Sequence, residues 1–270
     1  MINPFLLTKL IIVYNNFNMY PIIFGFIDSY SLMMVLALVA AFVLLYLFLR
    51  YKKTSKEEMV DIVICGSFAI ACGLIFAILF QNIYEFVQDS SSYQWTWGMT
   101  FYGGLFGGVF GYLLIYQIFI RKHSKGDITK VLVIAPACIT LAHAIGRIGC
   151  FLEGCCHGLE TTEWYGIYFP SAGKTFIPTQ LYESIFLFIL TAFLILLAFK
   201  KSFKYTFVVY LIAYGIFRFL IEFIRGDERG AFIGIFSPSQ IWSIVLLALA
   251  IPLYFLFKHL IFKDQKNGKA

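Results

Sequence analysis

The feature that most constrains this chain is a series of apolar runs, each about 20 residues long, which is the length that crosses ~30 Å of hydrocarbon. Seven occur: Tyr30 to Leu49, Val60 to Phe80, Met99 to Ile120, Thr129 to Gly146, Thr179 to Phe199, Tyr205 to Ile224 and Pro238 to Phe257. Composition agrees, since 60% of residues are hydrophobic and 13% charged, where a soluble domain carries roughly a quarter charged residues. In lipid a helix satisfies every backbone group within its own segment. The expected fold is therefore all-α and polytopic, with about seven transmembrane helices. Residues 1–270 are expected to form a single transmembrane domain, with Arg147 to Pro178 as its one long connection.

The net charge of +6 resembles a nucleic-acid footprint only until the charges are placed. The connections after spans one, three and five, with the C-terminal tail, hold 15 of the 21 basic residues. The positive-inside rule puts those segments and the C-terminus in the cytoplasm and the N-terminus outside. Nucleic acid is thereby excluded as the expected partner. The other basic residues are Lys9, Arg147, Lys174, Arg218, Arg225 and Arg229, and the arginines among them sit at or beyond outer helix ends. Residues 1–28 contain the apolar run Phe5 to Tyr14 without a charged start or a small-residue cleavage site, so they are expected to stay as an uncleaved, interfacial segment.

Among the six cysteines, Cys65, Cys72 and Cys138 lie within spans and read as small packing residues. Cys150, Cys155, Cys156 and His157 cluster in the long outer loop. Their spacing lacks the pairing of a usual zinc site, and a bond between Cys155 and Cys156 would be strained. Packing, or a disulfide involving Cys150 in an oxidising exterior, is the first reading; an active-site role is second and a metal third.

Polar residues inside spans carry the functional information, because a charge there costs at least ~2.5 kcal/mol on insertion scales. Arg218 and Glu222 are four residues apart on one face of span six, with Arg225 one turn further out. The surplus arginine makes that end net positive and suits an anionic ligand. From Gly146 to Gly158 four glycines occur in thirteen residues, which predicts an irregular or closely approached backbone presenting Arg147 to a cavity. Arg147 and Arg218 then offer two guanidiniums for bidentate phosphate recognition. Gly103, Gly107 and Gly111, with Gly104 and Gly108, give the small-xxx-small spacing of a packed helix seam, with Tyr102 at its mouth. Gln180, Tyr182 and Glu183 begin span five, and Ser237 to Gln240 begins span seven. These elements converge on the side opposite the lysines.

Taken in order, these segments resemble the phosphatidylglycerol–prolipoprotein diacylglyceryl transferase family. His143 to Gly158 is similar to its Gly-Arg-Ile-Gly-Asn-Phe signature and polar loop, and Pro178 to Glu183 to its Pro-Ser-Gln-Leu-Tyr-Glu element. Tyr214 to Arg225 is similar to its Tyr-Gly-x-Phe-Arg-x-x-x-Glu-Phe-x-Arg helix, and Ser239-Gln240 to its Gly-Gln-x-x-Ser element. Tyr20 to Phe24 and Ser29 to Met33 resemble the lead into span one, with Tyr30 at its aromatic position.

The resemblance implies a bacterial inner-membrane enzyme with its active site toward the outer leaflet. It would move the sn-1,2-diacylglyceryl group of phosphatidylglycerol to the lipobox cysteine thiol of a prolipoprotein, releasing glycerol phosphate, with no metal or soluble cofactor. Arg147, Arg218 and Tyr102 are the implied catalytic residues. Arg147, Tyr30, Gly103, Gly104, Gly158, Gln180, Tyr182, Glu183, Tyr214, Glu222, Arg225 and Gln240 are the implied lipid-binding set. The chain departs from the family pattern at Tyr102, where a histidine is usual; at Cys150, in place of the signature asparagine; at Cys155, in place of a loop glutamate; and at Cys72 to Leu74, where Gly-Gly-Arg is usual. The alternatives are a related lipid transferase with another acceptor, or a non-catalytic membrane protein that binds or transports anionic lipid.

Overall fold

The computed structural model describes residues 22–23, 27–91, 93–120, 128–200, 203–226 and 236–266. Most of the interfacial segment expected over residues 1–28, and Arg229, lie outside the described residues. Seven α-helices are present among those described: α1 (Ser29–Tyr51), α2 (Lys56–Gln88), α3 (Phe101–Ile115), α4 (Ile128–Glu153), α5 (Thr179–Lys200), α6 (Thr206–Ile221) and α7 (Pro238–Lys266). Six are long and apolar enough to cross a membrane, and the shorter α3 is extended by a π-helical turn, Tyr116–Ile120. The protein is an all-α multi-pass membrane protein, and large apolar side chains such as Val35, Val39 and Val43 of α1 are exposed in the way lipid-facing residues are.

Packing divides the chain into two compact units, one drawn from Met1–Phe48 and Leu132–Ala270, the other from Leu49–Val131. In the second unit α2 and α3 pack through glycine. A Cβ on Gly103 would come within 2.7 Å of the Phe76 carbonyl, one on Gly111 within 2.6 Å of Cys72 Cβ, and one on Gly107 would collide with the Phe76 side chain. The small-residue spacing therefore marks a backbone-to-backbone approach. Thr100 caps α3 by accepting from Gly103 N, and its own N–H donates to the Ala77 carbonyl of α2 at 3.1 Å.

In the first unit, hydroxyl groups fix the register of α4, α5 and α6. Pro136 lies inside α4 and has no N–H for the Leu132 carbonyl. Thr206, fully buried at the start of α6, donates to the Leu132 and Val133 carbonyls at 3.3 and 2.8 Å, so the group that proline leaves open finds a partner on another helix. Ser184 of α5 donates to the Ala144 carbonyl at 2.9 Å, and Thr191 donates to Thr140 Oγ1 at 2.8 Å. Each interhelical bond of this kind is worth only about 0.6 kcal/mol in a membrane, but three of them at successive levels admit one axial alignment.

Of the irregular or closely approached backbone expected from Gly146 to Gly158, the first part takes close approach, and span four runs beyond its expected end. α4 does not break at Gly146 but continues through Arg147 and Cys150 to Glu153. Glycine costs a helix roughly 1 kcal/mol per residue, and here it permits close packing. A Cβ on Gly149 would lie 3.0 Å from Met33 Cβ and 3.3 Å from the Tyr30 ring of α1. The irregular connection starts at Gly154 and includes a short hairpin, β1 (Ile167–Phe169) paired antiparallel with β2 (Lys174–Phe176).

Substituting Gly107 by Ala should lower the thermal midpoint in detergent, by overpacking of about 1–3 kcal/mol. Gly108→Ala, whose new Cβ would find its nearest neighbour at 3.6 Å, should instead raise the midpoint, by up to about 1 kcal/mol of helix propensity.

Candidate active site

The alignment of α4, α5 and α6 brings together polar side chains that none of these helices could carry alone. On α5, Glu183 is 1% exposed and needs compensation. Its Oε2 lies 2.8 Å from Arg147 Nε of α4, and its Oε1 accepts a hydrogen bond from the Tyr214 hydroxyl of α6 at 3.0 Å. His143, one turn before Arg147, places Nε2 3.5 Å from the same Oε1 and packs edge-on against the Tyr214 ring.

One turn beyond Tyr214 on α6, Arg218 repeats the pattern. Its Nη1 lies 2.8 Å from Glu222 Oε2, and its Nη2 donates to Ser239 Oγ of α7 at 2.7 Å. Arg225 approaches Glu222 Oε2 at 3.9 Å, and the Ser237 hydroxyl donates to Glu222 Oε1 at 2.8 Å. The two networks thus occupy successive turns of one α6 face. Among the described residues Arg147, Arg218 and Arg225 thus gather around Glu183 and Glu222, with Arg218 and Arg225 buried and Arg147 half-buried.

The start of α7 is built by a capping box. Pro238 opens the helix, Ser237 Oγ accepts from Gln240 N at 3.3 Å, and Gln240 Oε1 accepts from Ser237 N at 3.1 Å. Gln240 therefore holds Ser237, which holds Glu222, while Ser239 in the first turn of the same helix meets Arg218. Gln180 works similarly on the loop: its Nε2 donates to the Cys155 carbonyl while Thr179 donates to the Cys156 carbonyl at 3.1 Å. Gln180 Oε1 is buried and has no hydrogen-bond partner among the described residues.

Gly158 joins three segments. Its N–H donates to the Ile177 carbonyl at 2.7 Å, and it forms a bridge with Arg225, while Leu159 N donates to the Ile224 carbonyl at 3.0 Å. A Cβ there would sit 2.6 Å from the Ile224 carbonyl, so glycine alone permits the junction that seats Arg225. Tyr30 packs at Gly149, near Arg147 in sequence, and Tyr182 lies half-buried on α5 beside Glu183. Tyr102, Gly103 and Gly104 belong to the second unit, where the two glycines serve the α2 and α3 contact.

After α4 the chain turns so that three thiols meet. The Sγ atoms of Cys150, Cys155 and Cys156 all lie within 4.8 Å of one another, and Arg147 Nη1 is 3.9 Å from Cys150 Sγ. Hydrogen bonds from the Cys150 and Cys155 thiols hold the Cys156 thiol far below the ordinary range, helped by the charges of Arg147 and Arg225. The same sharing pushes the Cys155 thiol up. All three cysteines are free.

His143 is a member of this site that the sequence candidates omit, and Ser237, named there only as the start of span seven, is a member without an assigned role. Both left a signal: His143 precedes Arg147 by four residues on one helix face, and Ser237-Pro-Ser-Gln240 has the spacing of a capping box.

Fold and site together define a polytopic helical membrane protein with fixed, buried guanidiniums on one helix bundle. The family model described as prolipoprotein diacylglyceryl transferase matches residues 21–256. The chain belongs to that family. It is 39% identical over 163 residues to phosphatidylglycerol–prolipoprotein diacylglyceryl transferase 2 of Clostridium perfringens, covering 58% of this chain and 61% of the relative. It is 32% identical over 238 residues to the phosphatidylglycerol–prolipoprotein diacylglyceryl transferase of Clostridium tetani, covering 83% and 91%. Against the protein of that name from Dehalococcoides mccartyi the identity is 29% over 267 residues, covering 94% and 97%.

Removing Glu183 should destabilise the bundle more than removing its hydrogen-bond donor. Glu183→Ala leaves Arg147 buried without its counter-charge and should cost about 3–5 kcal/mol, whereas Tyr214→Phe loses one hydrogen bond, about 1 kcal/mol. Thermal unfolding in detergent distinguishes the two.

Proposed function

We propose that this chain transfers the sn-1,2-diacylglyceryl group of phosphatidylglycerol to the lipobox cysteine of a prolipoprotein. The observation that carries the reading is the pair of guanidiniums on α4 and α6, each oriented by a carboxylate at 2.8 Å, in a chain whose family performs this transfer. The bond between the glycerol carbon and the phosphate oxygen breaks, and a carbon–sulfur bond forms. The electron pair leaves with glycerol phosphate, and the thiol proton must be taken up as the thioether forms. Fixed positive charge aimed at the departing phosphate is the largest stabilisation such a step can receive.

The two arginines divide this task. Arg218 is 4% exposed and commits Nη1 and Nη2 to Glu222 and Ser239. Arg147 meets Glu183 through Nε, and the hydrogen bond its Nη1 makes goes to a weak acceptor, Cys150 Sγ, at 3.9 Å. Arg147 is therefore the direct phosphate contact and Arg218 the source of fixed field. Arg225 and Glu222 set the charge balance around them, Gln180 Oε1 offers an acceptor to a glycerol hydroxyl, and Tyr102 orients the acceptor substrate. Residues 1–270 act as one transmembrane domain in the bacterial inner membrane, with the site toward the outer leaflet and the C-terminus in the cytoplasm. No metal or soluble cofactor takes part in the transfer.

The test incubates the purified protein in phosphatidylglycerol micelles with a lipobox peptide and follows the peptide by mass. A diacylglyceryl thioether on cysteine is expected. Lipid turnover onto a different acceptor, with none on the cysteine peptide, would refute the reading. Arg147→Ala and Arg218→Ala should each lower the rate roughly 10²–10³-fold, as the loss of one preorganised donor does. Arg147→Lys should not restore it, because an ammonium lacks the bidentate fork. A Tyr102→Phe variant of unchanged rate would remove that hydroxyl from the reaction.

A further inference from the structure

The thiol cluster at the end of α4 is not needed by the transfer, yet its geometry is the most specific in the loop. α4 ends in a paired cap in which Gly154 N donates to the Phe151 carbonyl and Cys155 N to the Cys150 carbonyl, both at 3.1 Å, with Gly154 at φ 79°. This is the six-to-one and five-to-two pattern of a Schellman motif, which sets its final residue over the residue five positions earlier. The Cys-x4-Cys spacing is therefore the cap spacing, and the cap brings Cys155 onto Cys150.

Cys156 then adopts φ 61°, a left-handed conformation that a non-glycine residue holds only when its surroundings enforce it. Two hydrogen bonds supply that enforcement, from Gln180 and Thr179 to the carbonyls of Cys155 and Cys156. The result is a third sulfur within 4.8 Å of the other two. A disulfide would account for two converging sulfurs and leave the strained placement of the third without purpose. His157 does not join them, since its ring stacks on Phe176 at 3.8 Å and its Nδ1 meets the Gly158 carbonyl.

We infer that Cys150, Cys155 and Cys156 form a three-thiolate site for a thiophilic d¹⁰ cation such as Zn²⁺. Thiolates bound to zinc at ~2.3 Å lie about 3.8 Å apart, which rotation of the three side chains achieves from the observed cluster. Three thiolates around a divalent ion leave one negative charge, and Arg147, 3.9 Å from Cys150 Sγ, sits where that charge is balanced. The ion's role is structural: it ties the end of α4, and with it Arg147, to the loop that α5 grips. The site rests on the cap and the sulfur geometry and not on the reading of the activity, with Arg147 shared between the two.

The full-length protein, purified with a phosphine reductant, is titrated with Cd²⁺. One ion per chain should bind, with thiolate-to-cadmium charge-transfer absorption, proton release and protection of Cys150, Cys155 and Cys156 from maleimide in peptide mass spectra. Cys155→Ser with Cys156→Ser should weaken binding by more than the ~100-fold that loss of a mere supporting contact costs, while Cys138→Ser should not. The protection assay on the unmodified protein decides the matter even where the double variant fails to fold. Absent binding, binding that leaves the three thiols reactive, or affinity unchanged in the double variant overturns the site. So does a disulfide among these cysteines in protein alkylated within intact cells before lysis.

Discussion

A guanidinium inside a bilayer-spanning bundle must meet a counter-charge, and the first unit of this protein is arranged around that requirement. Taking one ion out of water costs several kcal/mol even after relaxation. Glu183 and Glu222 offset the cost for Arg147 and Arg218, each at 2.8 Å. Neither pair is left bare, because Tyr214 and Ser237 donate to the remaining carboxylate oxygens. The helices that supply these partners must stand at matching heights, and the hydroxyl bonds from Ser184, Thr191 and Thr206 set those heights. Register and charge compensation are thus one constraint expressed twice.

The same logic explains why helix ends carry so much of the site. Backbone groups at a terminus have no partner within the helix, so side chains of neighbours are drawn there. Gln240 and Ser237 satisfy the start of α7 and in doing so aim hydroxyls at Arg218 and Glu222. Thr179 and Gln180 begin α5 and hold the loop carbonyls that follow α4. A cap that serves only one helix would use solvent instead; these caps connect α4, α5, α6 and α7.

How much of this was legible beforehand follows from the range of each interaction. The spans were legible because hydrophobicity is summed over about 20 residues, and the Arg218 and Glu222 pair because both partners lie on one helix. The glycine seam of α3 was legible for the same reason, although its partner helix was not. Arg147 was recognisable as a costly residue, but its pairing with Glu183 depends on how α4 and α5 slide past each other, which no local pattern encodes. Gly146 and Gly149 suggested an irregular or closely approached backbone, since their cost to a helix is local and visible; the contact of Gly149 with Tyr30 and Met33, which decides for close approach, lies on another helix. His143 was overlooked because a lone histidine acquires meaning only once Glu183 stands beside it.

Rigidity of the charged groups also bears on what the site can do. In water a phosphate leaving group is stabilised by solvent that must reorient as charge develops. Here the donors are already oriented by Glu183, Glu222 and Ser239, so the reorganisation was completed when the bundle folded. The counter-charges that make burial tolerable also weaken the field the arginines exert, so the fixed orientation of the donors, more than net charge, sets what the site can stabilise. Arg225, held at 3.9 Å from Glu222 and seated by the Gly158 junction, adds a third guanidinium to the cluster. Its bridge to Gly158 ties that guanidinium to the connection between α4 and α5, so the orientation of the charged groups depends on the loop as well as on the helices.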